Sequence, residues 1–207
     1  EALVGLAVAV VVGAVAHLGG ARVRGLHAVI AVAAAVGAGV DRDALLVVAA
    51  DAALHEKFLV AAKAEKDRAD RGRLLGALAD SHDRALVQAQ LPIALTETFE
   101  MREAMRLVWG AANDFRTRDL ALSFVQSNWD AMITRLPKDG GAGLVWLASG
   151  LCNEKERDAA RAFFDGRSTK YLGGPRNFAI AMEGVDLCIA WRARHTASTV
   201  AFFEKRK

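Results

Sequence analysis

The sequence predicts an all-α protein, built as a helical-repeat array of HEAT or armadillo character. Apolar residues recur at helical spacing within segments of about 10 to 20 residues, and turn-forming residues separate these segments. No run of alternating β-branched residues indicates a strand. Helices of this length joined by short turns stack as antiparallel pairs and present a concave surface. We therefore expect one helical-repeat domain over residues 1–207, although the letters show no strict repeat.

The composition is that of a globular protein with a solvated, mixed-charge surface. The 207 residues are 53% hydrophobic, enough to bury a core without the help of disulfides or a metal. The 27 basic and 24 acidic residues give a net charge of +3, and the two signs are interleaved, as in KAEKDRADRGR at 63–73. A nucleic-acid-binding surface would cluster one sign, so we expect no nucleic-acid partner.

The first element is the apolar stretch ALVGLAVAVVVGAVAHLGGA at 2–21, which has no Asp, Glu, Lys or Arg and approaches the length of a membrane span. It is rich in Ala and Gly, contains His17, and precedes a second apolar run at 26–40 that is too short to cross. No basic region precedes it, as a signal peptide requires. We expect residues 1–50 to form Ala/Val/Gly-rich buried helices; a membrane association would rest on residues 2–40 alone. The start at Glu1 instead of Met suggests a fragment or a processed chain.

The later elements follow from turn signals and apolar stripes. Asn153 with Glu156 resembles a capping box that opens EKERDAARAFF, with Gly166 as its C-terminal stop, and Pro175 fits the first turn of the next helix. The joints between helices are predicted at Gly19-Gly20, 37–43, 81–83, Asn113-Asp114, 137–143, 166–175 and 194–196. Two predicted stripes are Val125, Trp129, Met132 and Leu136, and Phe178, Met182, Val185 and Ile189.

The two cysteines, Cys152 and Cys188, are far apart in the sequence, each within an apolar helical context. Such a cysteine usually behaves as a small buried hydrophobic residue, so we predict two free thiols and no disulfide framework. Reduced thiols are simplest to reconcile with a cytoplasmic location.

The search for catalytic residues is negative. His55-Glu56 would begin a zinc-binding HExxH helix, but Leu59 stands where the second histidine is needed, so His55 is predicted at the surface or a helix end. No phosphate-binding glycine loop or nucleophile elbow is present. We therefore expect this chain to contain no catalytic residue, metal site or cofactor of its own. The histidines are scattered, without partners at metal-ligand spacing: His17, His27, His55, His82 and His195.

One stretch, TRDLALSFVQSNWDAMITRL at 117–136, resembles a helix of the C-terminal helical domain of aminopeptidase-N-like (gluzincin) zinc aminopeptidases. The resemblance extends over about residues 50–205. It includes the family-like helix at 63–78, Met101-Arg102 and Asn113 in 96–119, with Met105 in place of an acidic residue, and the Phe-Phe that closes 156–164. The remaining matching positions are Phe124, Asn128, Trp129, Asp130, Arg135, Arg176, Glu183 and Trp191.

The stretch indicates a structural joint. We expect Trp129 to fill the gap between stacked helix pairs, and Asn128 to hydrogen-bond a neighbouring inter-helix loop. Arg135 near the helix C-terminus can bond the last carbonyls and offset the helix dipole. Pro137 then prevents the helix from continuing.

The resemblance implies a function at the level of a larger enzyme. In that family, zinc and the HExxH glutamate lie in a separate domain, and the helical C-terminal domain covers the site and limits which peptides enter. The implied partners are the catalytic domain of the same polypeptide and peptide substrates. The candidates for holding a peptide's C-terminal carboxylate by charge-assisted hydrogen bonds are Arg102, Arg116, Arg118, Lys138 and Arg176.

A second hypothesis is a free-standing helical-repeat scaffold that binds a partner protein on its concave surface. It explains the helix content equally well and the missing metal site better. It does not explain why the Asn-Trp, Phe-Phe and Trp191 elements occur in the family's order.

Overall fold

A computed structural model describes residues 52–205, and every regular element in that range is a helix. This confirms the all-α fold class, while the superhelical repeat arrangement stays a prediction. The chain divides into two compact units with a boundary between Ser81 and His82. The predictions for residues 1–50 lie outside the described residues. Among those described, none of the helices combines the length and the hydropathy that crossing a bilayer requires.

The described part of the first unit is a pair of helices, α1 (Ala52–Ala64) and α2 (Arg68–Ala79), which pack together. Asp67 caps α2, because its Oδ1 accepts hydrogen bonds from the backbone N–H groups of Ala69 and Asp70 at 2.8 and 3.0 Å. His55 is buried in the first turn of α1, so of its two predicted positions the surface is wrong and the helix end is right.

The second unit, residues 82–205, contains six α-helices and two 3₁₀ helices. In chain order they are α3 (Arg84–Gln90), the first 3₁₀ helix (Leu91–Leu95), α4 (Met101–Asn113), α5 (Arg118–Ser127), α6 (Trp129–Arg135), the second 3₁₀ helix (Gly140–Ala148), α7 (Glu154–Ser168) and α8 (Gly174–Glu204).

Hydrogen bonds between loops show that the second unit has two ends. The guanidinium of Arg84 donates to the carbonyl of Arg116, and that of Arg118 donates to the carbonyl of Gly150. The start of α3, loop 114–117 and loop 149–153 therefore meet at what we name the first end. At the opposite, second end lie loops 96–100, 136–139 and 169–173. Arg135 donates to the carbonyl of Thr96 there, at 2.6 Å.

The core of the second unit includes the predicted stripe of α5 and α6. Val125, Trp129 and Met132 are buried, as predicted, and Leu136 is half-buried. Of the second predicted stripe, Met182 and Val185 are buried, whereas Phe178 and Ile189 are only half-buried. The largest fully buried side chains of this unit are Val87, Leu107, Val108, Val125, Met132, Leu144, Val145, Leu147 and Phe164.

The predicted helix starts are confirmed, and one of the predicted joints is wrong. Asn153 caps α7, with its Oδ1 accepting from the N–H of Glu156 at 2.9 Å, and Pro175 lies in the first turn of α8. α7 ends at Ser168, two residues past the predicted stop at Gly166 and within the joint predicted at 166–175, and the turn that follows uses Gly173, at φ 77°. The joint predicted at 194–196 is absent, because α8 runs through it.

The stretch 118–135 is two helices and not one. Asn128 separates α5 from α6, and its Nδ2 donates to the carbonyl of Phe124 at 2.8 Å. The predicted bond from Asn128 to a neighbouring loop is therefore wrong: the side chain satisfies the end of its own helix. In contrast, residues 140–143, the glycine-rich part of the joint predicted at 137–143, are helical and begin the second 3₁₀ helix.

Cys152 and Cys188 form a disulfide, with their Cα atoms 5.3 Å apart. The prediction of two free thiols is wrong, and the reason is topological. The short loop 169–173 makes α7 and α8 antiparallel neighbours, so the residue just before α7 lies beside the middle of α8. The apolar context of each cysteine carries no information about this pairing.

Candidate functional site

The aromatic joint, defined as Trp129, Phe163, Phe164 and Tyr171, forms around the tryptophan of the resembling stretch. The ring centroid of Trp129 lies 5.5 Å from that of Phe163, 6.0 Å from Phe164 and 6.4 Å from Tyr171, each in edge-on geometry. Trp129 is only 6% exposed. Aromatic rings favour this edge-on packing, so the joint fastens α6 to α7, as expected for a residue that fills the gap between helices.

Arg167 and Gly141 complete the aromatic joint from opposite sides. The Arg167 guanidinium lies 4.0 Å from the ring centroid of Phe163 and 5.9 Å from that of Trp129, and it donates to the carbonyl of Phe163 at 2.8 Å. A Cβ on Gly141 would lie 2.6 Å from Cε2 of Tyr171, so the ring requires a glycine there. Burial, with the negative charge of Asp130, raises the pKa of Tyr171. The joint is structural.

Of two other resemblance residues, Arg135 makes contacts different from those expected, and Trp191, for which no contact was predicted, is exposed. Arg135 does not bond the last carbonyls of its own helix: it donates to the carboxylate of Glu97 and the carbonyl of Thr96 on another loop. Trp191 is 65% exposed, and its ring stacks on His195 with centroids 5.0 Å apart. Arg135 therefore connects loops at the second end, while Trp191 lies on an open helix surface.

Two of the five basic candidates lie at the first end and bond neighbouring groups of the chain. Arg118 donates to the carbonyls of Ala112, at 3.0 Å, and Gly150. Arg116 donates through Nε to the carboxylate of Asp114, at 3.0 and 3.1 Å. The Arg118 guanidinium therefore joins two segments of the chain, and that of Arg116 holds its own loop in place.

The other three candidates, Arg102, Lys138 and Arg176, lie at the second end and are exposed. Arg102 is 68% exposed, with its Nε 4.0 Å from a carboxylate oxygen of Glu100. Neither Lys138 nor Arg176 forms a hydrogen bond or ion pair with any residue in 52–205. The structure thus brings these three cations to one end of the unit, and their contact with a peptide stays a prediction.

Sequence reasoning missed a charge network at the first end. Arg84 and Asp119 form two parallel hydrogen bonds of 2.7 Å each, across 35 residues. Asp114 accepts from the N–H and Nε of Arg116, and His82 Nε2 lies 3.4 Å from its Oδ2. Burial would raise the pKa of Asp114, but the Arg116 hydrogen bonds outweigh burial and hold this pKa below 3.8. Only Asp114 and Arg116, two residues apart, carried a local signal.

An open groove of about 1090 Å³ runs between α7 and α8. Arg157 and Arg161 of α7 hold Asp186 of α8 across it, at 3.1 and 2.6 Å. Its apolar side is formed by Phe178, Met182 and Leu187. Within residues 52–205, no three His, Cys, Asp or Glu side chains are grouped so that they could hold a metal ion.

Comparison with known proteins gives one family. A model of the ERAP1-like C-terminal domain matches residues 30–187, which is more than half of the chain. No curated protein shows a significant sequence match. The match covers the aromatic joint and both ends of the second unit, and it agrees with the all-helical fold. The chain therefore belongs to the ERAP1-like C-terminal domain family, the C-terminal domain of aminopeptidase-N-like enzymes.

Proposed function

We propose that this chain is the non-catalytic C-terminal domain of a zinc metalloaminopeptidase, where it covers the active site and shapes peptide access. The observation that carries the proposal is the family match over residues 30–187. The partner is then the catalytic domain of the same polypeptide, which holds the zinc ion. The substrates are peptides whose N-terminal residues that catalytic domain removes.

The second end is the part of this chain that fits a peptide's C-terminal carboxylate best. The charged side chains of Arg102, Lys138 and Arg176 are exposed to solvent there. Two bonds make their setting rigid: Arg135 ties the helix before Lys138 to Thr96, and Asn177 donates to the carbonyl of Ala142 at 3.0 Å beside Arg176. A rigid frame lowers the ordering entropy that a bound carboxylate must overcome.

The test is peptide hydrolysis by the aminopeptidase that contains this domain, with Lys138→Ala and Arg176→Ala variants. We expect KM to rise several-fold for peptides with a free C-terminal carboxylate and to stay unchanged for C-terminally amidated ones, because a charge-assisted hydrogen bond is lost. Arg116→Ala is the matched control, since that guanidinium bonds Asp114 at the first end. An unchanged KM for every peptide would remove these residues as carboxylate ligands.

The sequence encoded upstream of Glu1 separates this proposal from the scaffold alternative. An HExxH motif in the same reading frame, with a downstream glutamate ligand, supports the aminopeptidase domain. A reading frame without that motif would leave a helical scaffold that acts through a bound partner protein.

The disulfide changes the proposed compartment. The predicted cytoplasmic location depended on two free thiols, and Cys152 and Cys188 are bonded. Disulfides persist in oxidising compartments and are rare in the cytosol. We therefore place the domain in an oxidising compartment. Two free thiols in protein isolated from its native source under alkylating conditions would return it to the cytoplasm.

A further inference from the structure

The second half of α8 has an open surface that the proposed function does not use. Every residue from Ala190 to Lys205 is exposed except His195, which is half-buried. Leu187 and Trp191 are 64% and 65% exposed, which is unusual for large apolar side chains on the same side of one helix.

Four of the exposed large apolar side chains of α8 belong to a regular stripe, whereas Val200 and Phe203 lie outside it. Ile180, Trp191 and Phe202 are spaced by 11 residues, which is close to three helical turns and keeps them nearly in line along a straight helix. Positions three or four residues away complete the line. We define the α8 stripe as Ile180, Gly184, Leu187, Trp191, His195, Ser198 and Phe202.

The α8 stripe is symmetric about Trp191. Leu187 and His195 lie four residues before and after it, and the small residues Gly184 and Ser198 lie seven residues before and after it. Ile180 and Phe202 close the stripe at equal distances. Reversal of the helix direction therefore places small residues opposite small ones and large residues opposite large ones.

We propose that the α8 stripe is a homodimer interface, in which it packs antiparallel against the same stripe of a second copy. The two-fold axis passes through Trp191, as a self-complementary interface requires. Gly184 then faces Ser198 of the second copy, where the helices approach closely. Leu187 faces His195, and Ile180 faces Phe202.

The charges beside the stripe favour the antiparallel direction. Glu183 lies on the helix edge next to Leu187, and Arg194 and Lys205 lie on the same edge further along. Antiparallel pairing places Glu183 between Arg194 and Lys205 of the second copy, within reach of both. Arg176 comes near Lys205 at the outer limit of the contact, where both side chains are exposed and water screens the repulsion.

Antiparallel pairing also covers the exposed second half of α8. The open half of one copy lies along the half of the other copy that is attached to α7 by the disulfide. A parallel pair would instead place the two open halves together, with Arg192 and Arg194 of each copy side by side. A helical segment as short as 190–205 is marginal alone in water, so the contact also stabilises its helix.

The size of the stripe sets the expected strength. Four apolar side chains expose on the order of 500 Å² per copy, below the roughly 800 Å² that each partner contributes to a standard stable interface. We expect dissociation in the micromolar range, with part of the contact area supplied by the stems of the flanking charged side chains.

The experiment is analytical ultracentrifugation of the oxidised 207-residue chain from about 1 to about 100 μM, where an interface of this size dissociates. We expect a monomer–dimer equilibrium for the wild type and monomer alone for Trp191→Glu, with helicity by circular dichroism as the folding check. Leu172→Glu is the matched control, because Leu172 is 85% exposed at the second end; it retains the dimer. A monomeric wild type at every concentration, open-ended association, or a dimer that survives Trp191→Glu would overturn the proposal.

Cysteine cross-linking tests the direction of pairing. Gly184→Cys is tolerated, since a Cβ there meets no atom within 4 Å. In an antiparallel dimer the double variant Gly184→Cys/Ser198→Cys forms covalent dimers on mild oxidation, whereas neither single variant does. Within one helix these positions are about 21 Å apart, too far for a bond inside one chain. Covalent dimers from the single variants would instead show parallel pairing.

Discussion

At the scale of single residues, the aromatic joint depends on a large side chain at one position and on a glycine, which has no side chain, at another. Trp129 fills the space between α6 and α7, and Gly141 leaves the space that the ring of Tyr171 occupies. The family-like stretch suggested the first of these roles from its Asn-Trp letters. Nothing local indicated the second, because Gly141 and Tyr171 are distant in sequence and meet only in the fold.

Gly141→Ala tests this close contact. We expect a loss of roughly 1–3 kcal/mol in the free energy of unfolding, because the new Cβ forces the rigid Tyr171 ring out of its site. Gly143→Ala is the control, since it lies in the same 3₁₀ helix with no atom within 4 Å of the added Cβ. Urea unfolding followed by circular dichroism measures both. If the two variants lose equal stability, the contact with Tyr171 does not explain the stability lost by Gly141→Ala.

Asp114 predicts a pH dependence of stability. The pKa of Asp114 in the folded protein is lowered from 3.8. The stability that its carboxylate contributes is therefore fully present above that value and is lost as the pH falls through the pKa of the folded protein. Asp114→Asn therefore destabilises the protein at pH 7, and the difference from wild type disappears toward the acid end. Urea unfolding at a series of pH values measures this. A difference that stayed constant below pH 3.8 would show that the charge is not the cause.

At the scale of elements, helix starts were predictable, whereas the break at Asn128 and the continuation of α8 through 194–196 were not. Asn153 and Pro175 act within one helical turn, so their letters suffice. Gly166 has no atom within 4 Å of an added Cβ, and helix formation continues through it because tertiary packing outweighs a weak propensity.

The cap of α7 gives a prediction at this scale. Asn153→Ala removes the acceptor for the N–H of Glu156 and should lower the free energy of unfolding by about 0.5–2 kcal/mol. Asn153→Ser supplies another acceptor and should retain most of the stability. Thermal unfolding of the two variants side by side distinguishes the cap from any change in loop packing, which would affect both equally.

The basic candidates show the same limit of sequence-based prediction for the functional site. Sequence can place Arg102, Arg118 and Arg176 near helix starts, but it cannot tell which of them is already bonded. The acceptor for Arg118 is the carbonyl of Gly150, 32 residues away, so its engagement depends on the fold.

At the scale of the whole molecule, the disulfide is the main feature that sequence reasoning missed. It closes a loop across a separation of 36 residues, and a cross-link of that length stabilises a fold by about 3–4 kcal/mol through the entropy of the unfolded chain. We expect Cys152→Ser/Cys188→Ser to lose this amount in urea unfolding. Wild-type protein in reductant should match the double variant; if reductant destabilises the variant as well, the effect has another source.

The disulfide divides α8 into two halves of different stability, although the helix itself is continuous. The helix has 31 residues without a break, and Cys188 attaches it to the residue before α7 near its midpoint. The buried residues Met182 and Val185 both precede that point. In the dissociated chain, amide hydrogens before Cys188 open only with the core, whereas those after Ala190 open locally and exchange with solvent far sooner. One continuous helix therefore belongs to two cooperative units, and heating would melt its far half first.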